Sequence, residues 1–360
     1  MVQLKTRMLQ EMVSKAVKGC SNNKMMPMTS IMAIKLSDGT LTLITTDMTN
    51  YLYVSEDVSA DGDFYVTVRA DMMAKFIASL TTENVTFEVT DKYLNVKGNG
   101  EYKIELELDE NGNMIEFPNF EPCGKKIGTV AISDIRTILT TLKSALSKDV
   151  VTPCYTNYFV GDSVIATDLN TINMLDVKLF EKAKKPLFIS TELMDLIGLC
   201  TDDTIEVQND GDVFDVISDQ IQIHSTLFEY TSQYQTDDIN GVIAFEYPST
   251  CVVNRNALLQ TIDRIALFID DEFSDGIANL KFDKNGVTVE STLSNGSELI
   301  PYVDSTNVSD YECTIAVTGF REQVKSFSVD NLMICYGRDE SIKLEDGDGN
   351  LMSCIGLVVE

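Results

Sequence analysis

Apolar residues recur at Ile135, Ile138, Leu139, Leu142 and Leu146, the i, i+3, i+4, i+7, i+11 spacing of one helix face. Ser133 is the predicted N-cap, its hydroxyl placed to accept an otherwise unpaired backbone N–H. The opposite stripe, Arg136, Thr140, Lys143 and Ser147, is basic and small. After Val150 the period shortens towards two, and the predicted strands end at Thr167-Asp168. The same succession occurs once before and once after. The first copy opens with an alternating strand at 2–5. A helix capped by Thr6 follows, with stripe Leu9, Met12, Val13, Ala16, Val17 and with Gly19 as its C′ residue. Strands at 31–47 turn at Asp38-Gly39, a hairpin signal. Residues 64–80 read as strand into helix. Residues 84–110 read as three strands turning at Asp91-Lys92 and Gly98-Asn99-Gly100, and Pro118, Pro122 and Gly124 punctuate a linker.

The second copy repeats this order. Residues 186–200 form its strand into helix and 204–228 its three closing strands; the polar stretch 229–241 and Pro248 read as a boundary. In the third, Asn254 caps a helix with stripe Leu258, Ile262, Ile265, Ala266, and 331–359 supplies the closing strands. Thr46-Asp47, Thr167-Asp168 and Ser291-Thr292 hold one place in the unit, as do Lys15, Lys143 and Arg264 after their caps. The expectation is an α+β chain of three repeats: residues 1–122, 123–247 and 248–360.

Composition narrows the chemistry. The chain has 360 residues and a net charge of −28, which argues at first against nucleic acid. No apolar run is long enough to span a bilayer and no signal pattern opens the chain, so a cytoplasmic protein without a membrane partner is expected. The eight cysteines lie apart with no CxxC pair and read as reduced, buried thiols. One histidine, His224, sits in a strand alternation and reads as a satisfied or surface residue. With no Trp and no second His, triads and His-rich metal sites are excluded; no P-loop or dinucleotide fingerprint occurs. Asp346-Gly-Asp348-Gly-Asn350 opens like a calcium loop, but Leu357 stands where the bidentate Glu belongs, so a hairpin turn is the better reading. No catalytic residue, metal or cofactor is expected.

The cations are unevenly placed. Lys5, Arg7, Lys15, Lys18, Arg69, Lys75, Arg136, Lys143, Lys148, Arg255, Arg264, Arg321 and Lys325 fall on or beside predicted helices, thirteen of 28 in a minority of the chain. The acids crowd strands and turns. If the helices of all units face one way, they form one positive surface on a negative body. The helix at 191–200 departs from this, with Glu192 and Asp195 and no base.

These features, with LITTD at 43–47, VIATD at 164–168, EFPNFE at 116–121, VNRNALLQTIDRIAL at 253–267 and an apolar C-terminal strand, resemble the bacterial DNA polymerase III beta subunit (sliding clamp) family over essentially the whole chain. The resemblance implies three DNA-clamp domains, each of two helices on antiparallel sheets, in a head-to-tail homodimer closed as a six-domain ring. It implies a non-catalytic processivity factor around duplex DNA, nucleoid-associated, serving a polymerase catalytic subunit, an ATP-dependent clamp loader and other replication and repair proteins. The runner-up is an acidic repeat scaffold that binds proteins without encircling DNA. The DNA-facing set is then Arg7, Lys15, Lys18, Lys24, Arg69, Lys75, Arg136, Lys143, Lys148, Arg264, Arg321 and Lys325, with Lys24 and Lys148 matching family positions that touch DNA. The family's partner-peptide cleft maps onto Cys154, Thr167, Asn170, Thr171, Ile172, Phe273, Thr318, Arg321, Ser341, Cys354, Gly356, Leu357, Val358 and Val359. The dimer contact maps onto Tyr102, Ile104 and Leu106 against Leu267 and Phe268 of the other subunit. Leu169-Asn170-Thr171-Ile172 replaces the family's Gly-His-Arg-Leu. The Gln235 region replaces a proline-containing loop, and the chain ends Val358-Val359-Glu360. These departures imply a divergent or phage-encoded member.

Overall fold

A computed structural model describes residues 2–21, 23, 25–59, 62–269, 276–293 and 295–358. By contacts the chain divides into one unit of residues 1–133 and 192–228 and another of residues 134–191 and 229–360.

The first unit holds two antiparallel sheets. One is β1 (Val2–Lys5), β6 (Asn84–Val89), β7 (Tyr93–Lys97), β8 (Glu101–Glu105), in that order. The other runs β5 (Phe64–Arg69), β2 (Ile31–Ser37), β3 (Thr40–Thr46), β4 (Asn50–Asp57), β16 (Ile221–Thr226), β15 (Val213–Ile217), β14 (Thr204–Asp210), β9 (Lys126–Ala131). Its helices are α1 (Thr6–Ala16), α2 (Ala70–Ser79) and most of α4 (Thr191–Ile197). Gln10 Nε2 ties α1 to α2 by donating to the carbonyls of Ile77 and Leu80, both at 3.0 Å.

The second unit has one twelve-stranded sheet. It begins β13 (Leu187–Ser190), β10 (Asn157–Val160), β11 (Val164–Thr167), β12 (Thr171–Leu175), then β24 (Leu351–Gly356), β23 (Ser341–Glu345), β22 (Asn331–Tyr336), β17 (Ser249–Asn254). It ends β20 (Ser297–Thr306), β19 (Gly286–Ser291), β18 (Ile277–Asp283), β21 (Tyr311–Ala316). Its helices are most of α3 (Ile132–Thr141), α5 (Thr236–Ile243), α6 (Arg255–Ala266) and α7 (Val317–Ser326).

One rule generates both sheet orders, apart from the pairing of β17 with residues 302–306 of β20 inside the third repeat. In each repeat the strand leading into the first helix lies beside the last three strands: β1-β6-β7-β8, β9-β14-β15-β16, β17-β22-β23-β24. The strand leading into the second helix lies beside the early hairpins: β5-β2-β3-β4, β13-β10-β11-β12, β21-β18-β19-β20. The repeats join where β4 pairs β16 and where β12 pairs β24.

The predicted apolar stripes form the core, except that Val17 and Leu139 are half-buried and Ala266 is exposed. Leu9, Met12, Val13 and Ala16 of α1, Ile135 and Ile138 of α3, and Leu258, Ile262 and Ile265 of α6 are all buried. Asn254 caps α6, accepting from Ala257 N at 2.9 Å. Two other caps differ from expectation. Lys5 occupies the N-cap of α1, while Thr6 lies inside the helix with a buried hydroxyl that has no hydrogen-bond partner. Ser133 lies in the first turn of α3, which begins at Ile132. The eight cysteines are free thiols, six of them buried. Among the described residues no helix is long and apolar enough to cross a membrane, and no cluster could hold a metal.

Gly19 closes a 3-10 turn at Val17–Gly19 rather than acting as a left-handed C′ residue. A Cβ there would stand 2.4 Å from Thr45 Oγ1 and 3.0 Å from Leu52 Cβ. Thr45 is itself fixed, donating to the Ala16 carbonyl at 2.6 Å. Gly19→Ala should therefore cost about 1–3 kcal/mol by overpacking. Thermal unfolding checks this; an unchanged midpoint would mean that the strands yield.

Candidate functional site

The Thr-Asp repeats are turn devices. Asp47 Oδ1 accepts from Thr49 N at 2.9 Å and Asn50 N at 2.7 Å, and Thr46 Oγ1 accepts from Met48 N at 2.8 Å. Asp168 Oδ1 likewise accepts from Asn170 N at 3.0 Å and Thr171 N at 2.7 Å, and Thr167 Oγ1 from Leu169 N at 2.9 Å. This bonding holds Met48 and Leu169 at φ of 81° and 74°, which few non-glycine residues adopt. Each turn delivers a carbonyl to the next repeat: Thr49 O accepts from Thr226 N, and Asn170 O from Gly356 N. In the third repeat Ser291 Oγ takes the part, accepting from Asn295 N and Gly296 N, both at 3.1 Å.

The helix cations fall into two groups. Lys18, Lys75, Arg136, Lys143, Lys148 and Lys325 are exposed, as are Arg7, which meets Glu11 at 3.2 Å, and Arg69, which meets Asp71 at 3.4 Å. Lys15, Arg255, Arg264 and Arg321 are held by partners on other elements and turns. Lys15 is half-buried and donates to Gln220 Oε1 at 2.9 Å, while Gln220 Nε2 donates to Glu56. Arg264 grips Glu298 with two nitrogens, Nε to Oε2 at 2.8 Å and Nη2 to Oε1 at 2.5 Å. Arg321 pairs with Asp263, so α6 and α7 are bridged. These guanidinium bonds hold the Asp263 and Glu298 carboxyls below their ordinary range. Arg255 caps the C-terminal end of α7, donating to Val324 O at 2.9 Å and Lys325 O at 3.0 Å. Lys24 lies outside the described residues.

Of the cleft positions, Thr167, Ile172, Ser341, Cys354 and Gly356 share one sheet face, while Thr171 points to the other. Ile172 stands opposite Cys354, and Ser341 opposite Gly356. Cys154, Thr167, Thr171, Ile172, Ser341 and Cys354 are buried. Burial pushes the Cys354 thiol up to about 11 and raises that of Cys154, so both act as apolar surface. Gly356, Leu357 and Val358 are half-buried, with Leu357 N donating to Glu340 O and Val358 N to Thr314 O, both at 2.9 Å. Asn170 and Thr318 are exposed and Arg321 is half-buried. Phe273 and Val359 lie outside the described residues.

The sequence reading missed what covers this face. Residues 236–243, read as part of a polar boundary, form α5. Its Ile239 joins Tyr234, Tyr155, Phe188, Cys154, Ile165, Ile172 and Cys354 in one buried cluster, with Val242 and Ile243 packed against it. The signal was the i, i+3, i+4 spacing of these three residues, masked by the surrounding Asp, Asn and Gly.

At the expected dimer positions, Tyr102 on β8 is exposed, while Ile104 and Leu106 are 4% and 5% exposed and belong to the core. Leu267 and Phe268, at the end of α6, are 82% and 50% exposed. The Asp346 turn is closed by its own backbone, with Gly349 N donating to Asp346 Oδ1 at 2.8 Å.

Residues 2–119 match the family model described as DNA polymerase III beta subunit, N-terminal domain. No curated relative matches the chain significantly. The fold is similar over the whole length to solved structures. The Thermotoga maritima DNA polymerase III beta subunit has a TM-score of 0.86 at 14% identity, covering 100% of this chain and 99% of that one. The Bacillus subtilis DNA polymerase sliding clamp has a TM-score of 0.86 at 15%, covering 99% and 98%. The Borrelia burgdorferi subunit, solved in complex with a natural product, has a TM-score of 0.87 at 14%, covering 99% of each. Residues 2–119 thus match that family's N-terminal domain, and the fold of the whole chain is the one these solved clamp structures share.

Proposed function

We propose that this protein is a non-catalytic sliding clamp. It encircles duplex DNA as a head-to-tail homodimer and tethers a polymerase through the cleft whose floor holds Ile172 and Cys354. The observation that carries this is the joining rule of the sheets. The last strand of one repeat's hairpin sheet pairs with the last strand of the next repeat's closing sheet, β4 with β16 and β12 with β24. Applied once more, the rule would seat β8 of a second copy beside residues 297–301 of β20, since β17 pairs only with residues 302–306 of that strand and β19 takes one edge of 297–301. β8 ends its sheet. Two copies then use every join and close a ring of six domains, bounded in each chain near residues 122 and 247. The β8 contact would be made by its backbone and by Tyr102, beside the exposed Leu267 and Phe268, and not by the buried Ile104 and Leu106.

The charge pattern fits this reading. Exposed helix lysines give a sequence-independent, salt-screened attraction to phosphates that permits sliding. An acidic exterior repels DNA elsewhere. An ATP-dependent loader, the polymerase catalytic subunit and repair proteins are the partners expected at the cleft, in the cytoplasm at the nucleoid.

The test is topological. The protein loaded on nicked circular duplex should stay through a salt wash and be lost when the circle is cut. It should elute near twice 40.0 kDa. A stable monomer whose DNA retention ignores linearisation would leave the acidic protein-binding scaffold as the answer.

A further inference from the structure

The two repeat junctions share one arrangement, and the difference between them is informative. Tyr51 stands opposite His224 at the first, where Ile172 stands opposite Cys354 at the second. At each, the linker to the next repeat folds back over this face. The first linker is pinned. Tyr53 Oη donates to Pro118 O at 2.7 Å, Tyr65 Oη to Ile115 O at 2.8 Å, and Phe117 N to Tyr65 Oη at 3.1 Å. Phe120 stacks on His224 with ring centroids 3.7 Å apart.

The second linker carries α5 and is held loosely between its ends. Its ends are fixed, Lys185 Nζ donating to Glu229 Oε1 at 2.7 Å and Tyr247 Oη bonding Ser341 Oγ at 2.8 Å, but between them the hydrogen bonds with Tyr155 on the face are long, Tyr155 Oη to Gln233 O at 3.4 Å and Gln235 N to Tyr155 Oη at 3.3 Å. Otherwise Ile239 and Tyr234 hold it by apolar contact. The Tyr234 hydroxyl is buried without a hydrogen-bond partner, which costs stability while the cover is closed. The helix is weak in itself. It has eight residues, no side-chain cap, four β-branched residues, and Asn240-Gly241 in its body.

The geometry points to α5 as a displaceable cover on the cleft floor, which a partner's peptide removes by seating its own apolar anchor where Ile239 sits. The partner is a short segment with an aromatic or branched apolar residue beside acids, the chemistry the floor already accepts from Tyr234 to Ile239. This rests on the partner-cleft reading above. It adds that partner affinity is set by competition with the chain's own linker.

The probe is a fluorescein-labelled peptide of residues 233–243 (QYQTDDINGVI), titrated against the full chain by anisotropy. Ile239→Asp, which expels the cover, should bind the probe about tenfold tighter than wild type. Gly241→Ala should bind it about fivefold more weakly, because a Cβ there meets no atom within 4 Å and only strengthens the helix. Equal affinity in all three proteins would overturn the proposal. Amide exchange in the untreated protein is the second arm and needs no folding variant. Residues 236–243 should exchange at least about a hundredfold faster than 115–120, and equal protection would overturn the cover. Neither arm involves DNA. A protein that failed the circular-DNA test yet showed these shifts would keep the cover and lose the clamp.

Discussion

Asp215→Ala is expected to be the most destabilising single change in the first unit, costing on the order of 3–5 kcal/mol. Asp215 is fully buried on β15 and serves two donors. Oδ2 accepts from Cys123 N at 2.8 Å, and Oδ1 meets His224 Nδ1 at 2.8 Å. A carboxylate only accepts, so Nδ1 carries the proton in this bond. His224 in turn is the platform on which Phe120 stacks. Removing the carboxylate leaves two buried N–H groups unpaired and frees the linker at both ends, at Phe120 and at Cys123. Asp215→Asn keeps one acceptor oxygen and should cost markedly less. Glu11→Ala is the control, because the Arg7–Glu11 pair has side chains 92% and 63% exposed and should matter by under about 1 kcal/mol. Denaturant unfolding measures all three. An Asp215→Ala protein within about 1 kcal/mol of wild type would show that water satisfies the abandoned groups.

Much of this architecture was legible because it is local. A stripe such as Leu258, Ile262, Ile265 needs only its own period to declare a helix, and Asp38-Gly39 needs only its neighbours to declare a turn. The threefold order followed because the same local signals recurred in the same sequence. What could not be read depends on partners far along the chain. Nothing beside Arg264 announces Glu298, nor anything beside Arg321 announces Asp263, yet those acids decide which cations stay available. Nothing near His224 announces Asp215. Gly19 looked like a helix stop because glycine often is one; its reason is the approach of Thr45 and Leu52 from other strands. The cover α5 was hidden for a related reason. Its intrinsic propensity is poor, and only the apolar face beneath it makes the segment helical.

That sorting of cations fixes the second large prediction. Lys15, Lys143 and Arg264 occupy matching places in the repeats, and all three seemed equally fit to face DNA. Lys15 is held by Gln220 and Arg264 by Glu298, so reversing either would injure folding as well as charge. Lys18, Lys75 and Lys325 are exposed and make no ion pair among the described residues, so they isolate the electrostatic role. The triple reversal Lys18→Glu, Lys75→Glu, Lys325→Glu should leave the unfolding midpoint almost unchanged, because exposed substitutions usually act within about 0.5 kcal/mol. On nicked circular duplex it should shorten retention on the order of a hundredfold or more at low salt. If both copies of a ring lose these contacts, the slope of log affinity against log salt should fall by roughly 0.9 for each phosphate contact removed. Arg264→Glu alone should show the opposite balance, a clear loss of stability from Glu298 left beside a like charge and a smaller loss of retention. Were the triple reversal to retain wild-type hold on the circle with an unaltered salt slope, the helices could not be the DNA-facing surface, and the positive lining would have to be sought elsewhere in the chain.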